Sequence, residues 1–231
     1  SPLAAQETPH HRPPAVTGGS ARFATSCKAT VAEMFNRGLG LLYAGAYDDA
    51  AAGFRFVTHS DIDCAIGAWG TAMAQWGRWE VLGASDALGL GRQALTMAAS
   101  MQHASPRERR YLAAAALLYD DAERQLARNR AAYADAMTSL SDDFREDDDA
   151  AVLAAQALLA RPEARVTALA ANRRRADAIL RGLPADHPGV VHETLVGGLD
   201  PDRLAEAAGH AAHVLPASAF ALLLPAFAFE R

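Results

Sequence analysis

One stretch constrains this chain more than any other: "KATVAEMFNRGLGLLYAGAYDDAAAGFRFVTHSDIDCAIGAWGTAMAQWG", residues 28–77. Phe35, Leu39 and Leu42 recur at helical spacing on one face, and Gly38 is small where a neighbouring helix would approach. "GAYDD" then marks a turn, and Asp48 and Asp49 bring negative charge to the start of the next helix, where the helix dipole favours it. Ala50, Phe54 and Val57 form the stripe of that second helix, "SDID" ends it, and "CAIGAWGTAMAQ" begins a third. Neither helix can bury its stripe alone, so each must pack on its neighbour.

The unit running from Lys28 to Ile62 is about 34 residues long, the period of a tetratricopeptide hairpin. Later segments follow the same logic. A helix is expected over about 84–101. "SPRERRYLAAAALLYDDA" offers Ser105 as N-cap, Pro106 as first helical residue and Glu108 as the capping-box acid. "QLARNRAAYADAMTSL" places Tyr133 and Met137 on one face, and "ARVTALAANRRRADAILRGL" gives a helix stopped near Gly182 and Pro184. The acids of "DDFREDDDAAVLAAQALLA" read as N-capping and dipole complementation rather than calcium ligation, because the Gly and late Glu of an EF-hand loop are missing. The expected fold is all-α: tetratricopeptide-like hairpins, about 10–11 helices, stacked into a right-handed superhelix with a concave groove.

Composition agrees. The hydrophobic fraction is 51% but only 7% is aromatic. Ala and Leu, the strongest helix formers, carry the apolar content. The 231 residues suit one domain or one repeat array. We expect a flexible N-terminal arm over 1–21, rich in Pro, Ala, Thr and Gly, and a single repeat domain over 22–231. Such an arm often follows a signal peptide that has been removed, which slightly favours an exported protein. His10 and His11 in the arm are poor chelators. A net charge of −5 excludes nucleic acid as the main partner. No apolar run reaches the ~20 residues of a membrane helix, since Pro216 and Pro225 interrupt "VLPASAFALLLPAFAF".

Residues 22–72 resemble the start of a group of large bacterial tetratricopeptide-repeat proteins that carry "F..SC", then "F..GLALLHSF.Y.EA", then "DP.CA.AYWG.A". Phe23, Ser26, Cys27, Phe35, Gly38, Leu39, Leu42, Tyr47, Ala50, Phe54, Asp61, Cys64, Ala65, Trp69 and Gly70 are among the matches. The likeness extends over about residues 22–229, and its first ~50 residues are specific. It implies a bacterial origin and the repeat fold. Both cysteines belong to the matched pattern, at helix starts that neighbour one another in such a hairpin, so the resemblance implies a Cys27–Cys64 disulfide.

The same group continues with histidine-rich segments like "HPGVLHYLIHAYD" and "PHALHMPSHIF". Here His187, Pro188, Gly189 and His192 match, Val196 replaces the third histidine, and Phe220, Leu223 and Phe227 stand where the second segment has its three. Metal or catalytic chemistry in the relatives is an inference from those clusters, and the set is broken in this chain.

Three site readings follow. The first is a scaffold that binds a peptide, a protein partner or an apolar small molecule in its groove. Trp69, Met73 and Trp76 fall at helical spacing, and with Tyr111, Phe220, Leu223 and Phe227 they line that groove or pack as core. The second is a metal-independent enzyme for a hydrophobic small molecule, with His187, His192 and Glu193 as acid–base groups; no nucleophile, phosphate or dinucleotide motif accompanies them. The structural alternative for His187 is a cap on the helix that starts at Pro188. The third is a metal site from His187, His192, His210 and His213, against which solvated or hydrogen-bonded histidines are favoured. No cofactor is expected. The apolar end makes a homo-oligomer conceivable.

Overall fold

The computed structural model describes residues 22–197 together with Ala207 and His210. Among them are nine α-helices and no strands. They are α1 Ala29–Tyr43, α2 Tyr47–Ser60, α3 Ala65–Leu82, α4 Ala87–Ser100, α5 Pro106–Tyr119, α6 Ala122–Asp143, α7 Asp148–Ala160, α8 Val166–Arg181 and α9 Pro188–Gly197. None is long and apolar enough to cross a membrane.

From α1 to α8 each helix packs on the next. The first hairpin has the expected stripes: Phe35, Leu39, Ala50, Phe54 and Val57 are buried, whereas Leu42 is only half-buried. Helix α3 is buried on all sides from Ala65 to Gly77 and touches α1, α2, α4 and α5. Its small residues make this crowding feasible. A Cβ on Gly70 would sit 2.4 Å from the Phe54 ring, so the bare backbone is what lets α2 approach. Gly83 ends α3 in the left-handed region, with the Ala84 N–H closing on Arg78 and its own on Trp79.

Capping starts the later helices. Ser105 and Glu108 form the reciprocal capping box of α5, with Pro106 at the first position. Asp147 caps α7 by accepting from Ala150 N–H, and Asp148 and Asp149 fill the first turn. The acidic run is thus spent on a helix start.

Two features join helices that are distant in sequence. Residues 22–28 run across α1, α3 and α5 as a strap. The Phe23 ring lies 5.2 Å from Phe35 and from Tyr111 and 6.2 Å from Trp69, beneath the Arg107 guanidinium at 4.1 Å. Ser26 donates its N–H and its hydroxyl to the Glu108 carboxylate, and Cys27 is disulfide-bonded to Cys64 at 1.99 Å. At the other end of the chain, α9 packs on both α7 and α1. Tyr111 and Arg107 of α5 both reach Asp147 at the head of α7. Odd-numbered helices therefore pack together, α1 with α3, α3 with α5, α7 with α9 and α9 with α1, while α5 is bonded to the residue that caps α7.

Candidate ligand pocket

The "HPG" stretch builds the joint that brings α9 home. His187 precedes the helix, and its Nδ1 accepts the Gly189 N–H at 3.1 Å, one of the amides a helix start leaves unpaired. Pro188 takes the first helical position, where its missing N–H costs nothing. Gly189 is bare where a Cβ would meet Val152 Cγ1 at 2.4 Å and Tyr43 Cε1 at 2.9 Å. Because Nδ1 accepts, Nε2 carries the proton, and it lies 3.2 Å from Asp149 Oδ1 but off the line of a hydrogen bond. The Tyr43 hydroxyl donates to the same oxygen at 2.8 Å. Burial, then the Asp149 charge, pushes the Tyr43 hydroxyl well above its usual range, so it stays protonated as a donor. Tyr43, Asp149 and His187 tie α1, α7 and the head of α9 together.

One turn later His192 and Glu193 face inward. They line a pocket of about 310 Å³ between α9, the start of α2, α3 and α7. Met73, Trp76 and Leu153 form its apolar wall, with Tyr47, Glu80 and Gln156 the polar groups beside them. Tyr47 is there because Gly77 is bare: a Cβ would stand 2.3 Å from the Tyr47 ring. Six of the lining residues, Met73, Trp76, Glu80, Leu153, Gln156 and Ala160, also border a second cavity of about 140 Å³ that extends to Leu118, Arg130 and Tyr133. The two cavities therefore adjoin along a shared wall.

Its electrostatics are uneven. Glu80 is engaged twice, by the Trp76 Nε1–H at 2.8 Å and by the Arg130 guanidinium. Glu193 receives only the Gln156 amide, at 2.9 Å, and burial raises its carboxyl pKa above the ordinary carboxylate value. Burial lowers the pKa of His192, whose Nε2 is 3.9 Å from Glu193 Oε1. Tyr47 is raised by burial and then by the charges of Glu80 and Glu193. A carboxyl held up and an imidazole held down, side by side in an apolar recess, is the arrangement proton transfer needs.

The residues singled out in the sequence divide. His192 and Glu193 enter the pocket; His187 stands behind Tyr43, ring centroids 5.6 Å apart, with its own hydrogen-bonding duties. Met73 and Trp76 are pocket wall. Trp69 and Tyr111 are fully buried under Phe23, two turns or roughly 10 Å along α3 from Trp76, and belong to the packed core. Phe220, Leu223, Phe227 and His213 lie outside the described residues. Among the described residues, the one set of three close His, Cys, Asp or Glu donors is Cys27, Asp61 and Cys64. Its sulfurs are joined in the disulfide, and Asp61 accepts the Lys28 N–H at 2.8 Å.

Sequence reasoning missed Tyr47, Glu80, Gln156, Arg130, Tyr133 and Asp149. Gln156 carried a signal, as the lone polar residue inside "AVLAAQALLA". A larger groove of about 420 Å³ lies between α2, α3 and α4, bordered by the exposed Ile62 and Met97. It gathers no comparable group of buried ionisable side chains, so the inner pocket is the stronger candidate.

The fold and site define an all-α protein of packed helices with a pocket that gathers buried ionisable side chains. No family model, curated protein or solved structure matches the chain.

Proposed function

We propose that this protein is a tetratricopeptide-like scaffold that binds a small, largely apolar molecule in the pocket between α3, α7 and α9. The observation that supports this reading best is the pocket itself: Met73, Trp76 and Leu153 wall a space whose polar groups come from a few fixed positions. Its volume suits a small molecule or a single inserted side chain better than a length of peptide. The packing of each helix on the next from α1 to α8, and the likeness of residues 22–72 to repeat proteins, support the scaffold.

A neutral fluorescent probe, N-phenyl-1-naphthylamine, tests the reading. We expect saturable binding, and loss of it in Ala160→Trp, which fills the pocket from an exposed position without touching the core. Absence of saturable binding by the wild-type chain would remove the proposal.

A second reading has its own support. Glu193 and His192 sit together in the recess with pKa values displaced toward each other. On this reading the protein is a metal-independent enzyme that moves a proton on a bound hydrophobic substrate, with Glu193 and His192 as the acid–base pair and His187 a structural residue. Incubating a metabolite extract with wild type and with Glu193→Gln, followed by mass spectrometry, separates the two. A product made only by wild type supports catalysis; identical extracts leave binding alone.

A further inference from the structure

We infer that the pocket takes an elongated ligand with a cationic amine at its α9 end and a hydrogen-bond acceptor, a carboxylate or carbonyl, at its α6 end. This rests on the ligand-pocket reading above and names the ligand's chemistry.

At the α9 end stands Glu193, 9% exposed. Among the described residues no Lys or Arg pairs with it; Arg130, the cation of this region, is committed to Glu80. The other titratable groups bordering the pocket around Glu193 are His192 on its own helix, Tyr47 and Tyr43 from the first hairpin, and Glu80 from α3. None supplies a full positive charge. A buried carboxylate without a counter-charge is costly, and a ligand ammonium offsets that cost. The rings of Tyr47 and Trp76 border the same space, and aromatic faces attract organic cations.

The α6 end is the opposite. Tyr133 is 7% exposed and lines the adjoining cavity, yet its hydroxyl has no hydrogen-bond partner. Arg130 Nε, equally buried, has none either. Both are donors, and buried donors are rarely left unpaired. Between the two ends the shared wall is mostly apolar: Met73, Trp76 and Leu153. An anion, an apolar middle and a pair of donors complement an amine, an alkyl or aryl spacer and an oxygen acceptor. The simplest such molecule is an ω-amino acid.

The test is isothermal titration of the full chain with linear ω-amino acids of about four to eight carbons, sized to the pocket, beside the matched alkylamines, alkanols and alkanoates. We expect the amino acids to bind best, the amines next, and the alkanoates at least about tenfold weaker than the amines. Glu193→Gln should cost amines and amino acids about tenfold and leave alkanols unchanged. Tyr133→Phe should bring the amino acids part of the way down to the level of the amines, the Arg130 Nε–H remaining as the second donor. Thermal melts check that both variants fold. Alkanols binding as tightly as amines, with no effect of Glu193→Gln, would overturn the charged end while the apolar-pocket reading stood. No effect of Tyr133→Phe would overturn the donor end, its hydroxyl being satisfied by water. No binding by any member would overturn both this inference and the pocket reading.

Discussion

At the scale of single residues, Glu193 and Glu108 show how much surroundings decide. Both are buried glutamates. Glu108 accepts from Ser26 N–H at 2.8 Å, from the Ser26 hydroxyl and from Ser105 N–H at 2.7 Å, so its charge is spread over donors from two segments. Glu193 has one amide donor and a recess. Its folded carboxyl holds a proton more tightly than in the unfolded chain, whose value is near 4.5. Between those two values the native state binds more protons, so stability falls as pH rises through the folded pKa. Glu193→Gln removes that cost while keeping an acceptor for Gln156. We expect the variant to melt higher than wild type at pH 7, with the difference vanishing below about pH 4. His192 has the opposite slope: its folded pKa is lowered, so its contribution is complete above about pH 6.5 and is lost as pH falls toward the folded value. Glu108→Ala should lose about 2–4 kcal/mol, combining a lost cap with lost charge-assisted bonds. Chemical denaturation reads this, and a loss under 1 kcal/mol (about one ordinary hydrogen bond) would mean that the strap is not held through this carboxylate.

Elements are placed by what their small residues permit. Gly70 and Gly77 on α3, and Gly189 on α9, are among the points where another side chain occupies the space of a Cβ. Gly189→Ala forces α9 away from Val152 and Tyr43. We expect a cost of about 1–3 kcal/mol, the usual penalty for overpacking. Probe binding should weaken as well, because His192 and Glu193 ride on the displaced helix. Unchanged binding in a destabilised variant would show that pocket and joint are independent. This scale also shows what was legible in advance. The capping box at Ser105–Glu108, the acidic start of α7 and the stripes of α1 and α2 were readable because their partners lie within a few residues. The second role of Glu108, holding Ser26 from 82 residues away, was not, because no local pattern records it. "HPG" was visible as a motif, but only the packing of α9 separates its structural half, His187 to Gly189, from the pocket half, His192 and Glu193.

Across the whole molecule, the strap and α9 decide the shape of the interior. A groove was expected, with Trp69 and Tyr111 either on its lining or packed as core. Phe23 packs over those two rings, and the pocket lies farther along α3, where Met73 and Trp76 form its wall. The Cys27–Cys64 bond holds the strap in register and closes a loop of 37 residues. Replacing both cysteines by Ser should cost about 2–4 kcal/mol, read as a lower denaturation midpoint, with two free thiols appearing only after reduction of the wild type. Equal midpoints for oxidised and reduced protein would show that hydrophobic packing of Phe23 alone suffices.

The sequence by itself determined the helices, their order and their caps, because Ala and Leu periodicity, Gly and Pro punctuation and N-terminal acids act over one or two turns. It also placed both cysteines at helix starts and His192 and Glu193 in one short segment. Only the tertiary structure decided that Asp149 and Tyr43 would approach His187, that Phe23 would cover Trp69, and that Glu193 and Tyr133 would border adjoining cavities that share Met73, Trp76 and Leu153. Those outcomes depend on which side chains fill which volumes between elements distant in sequence. Close packing of that kind has no short-range period to read.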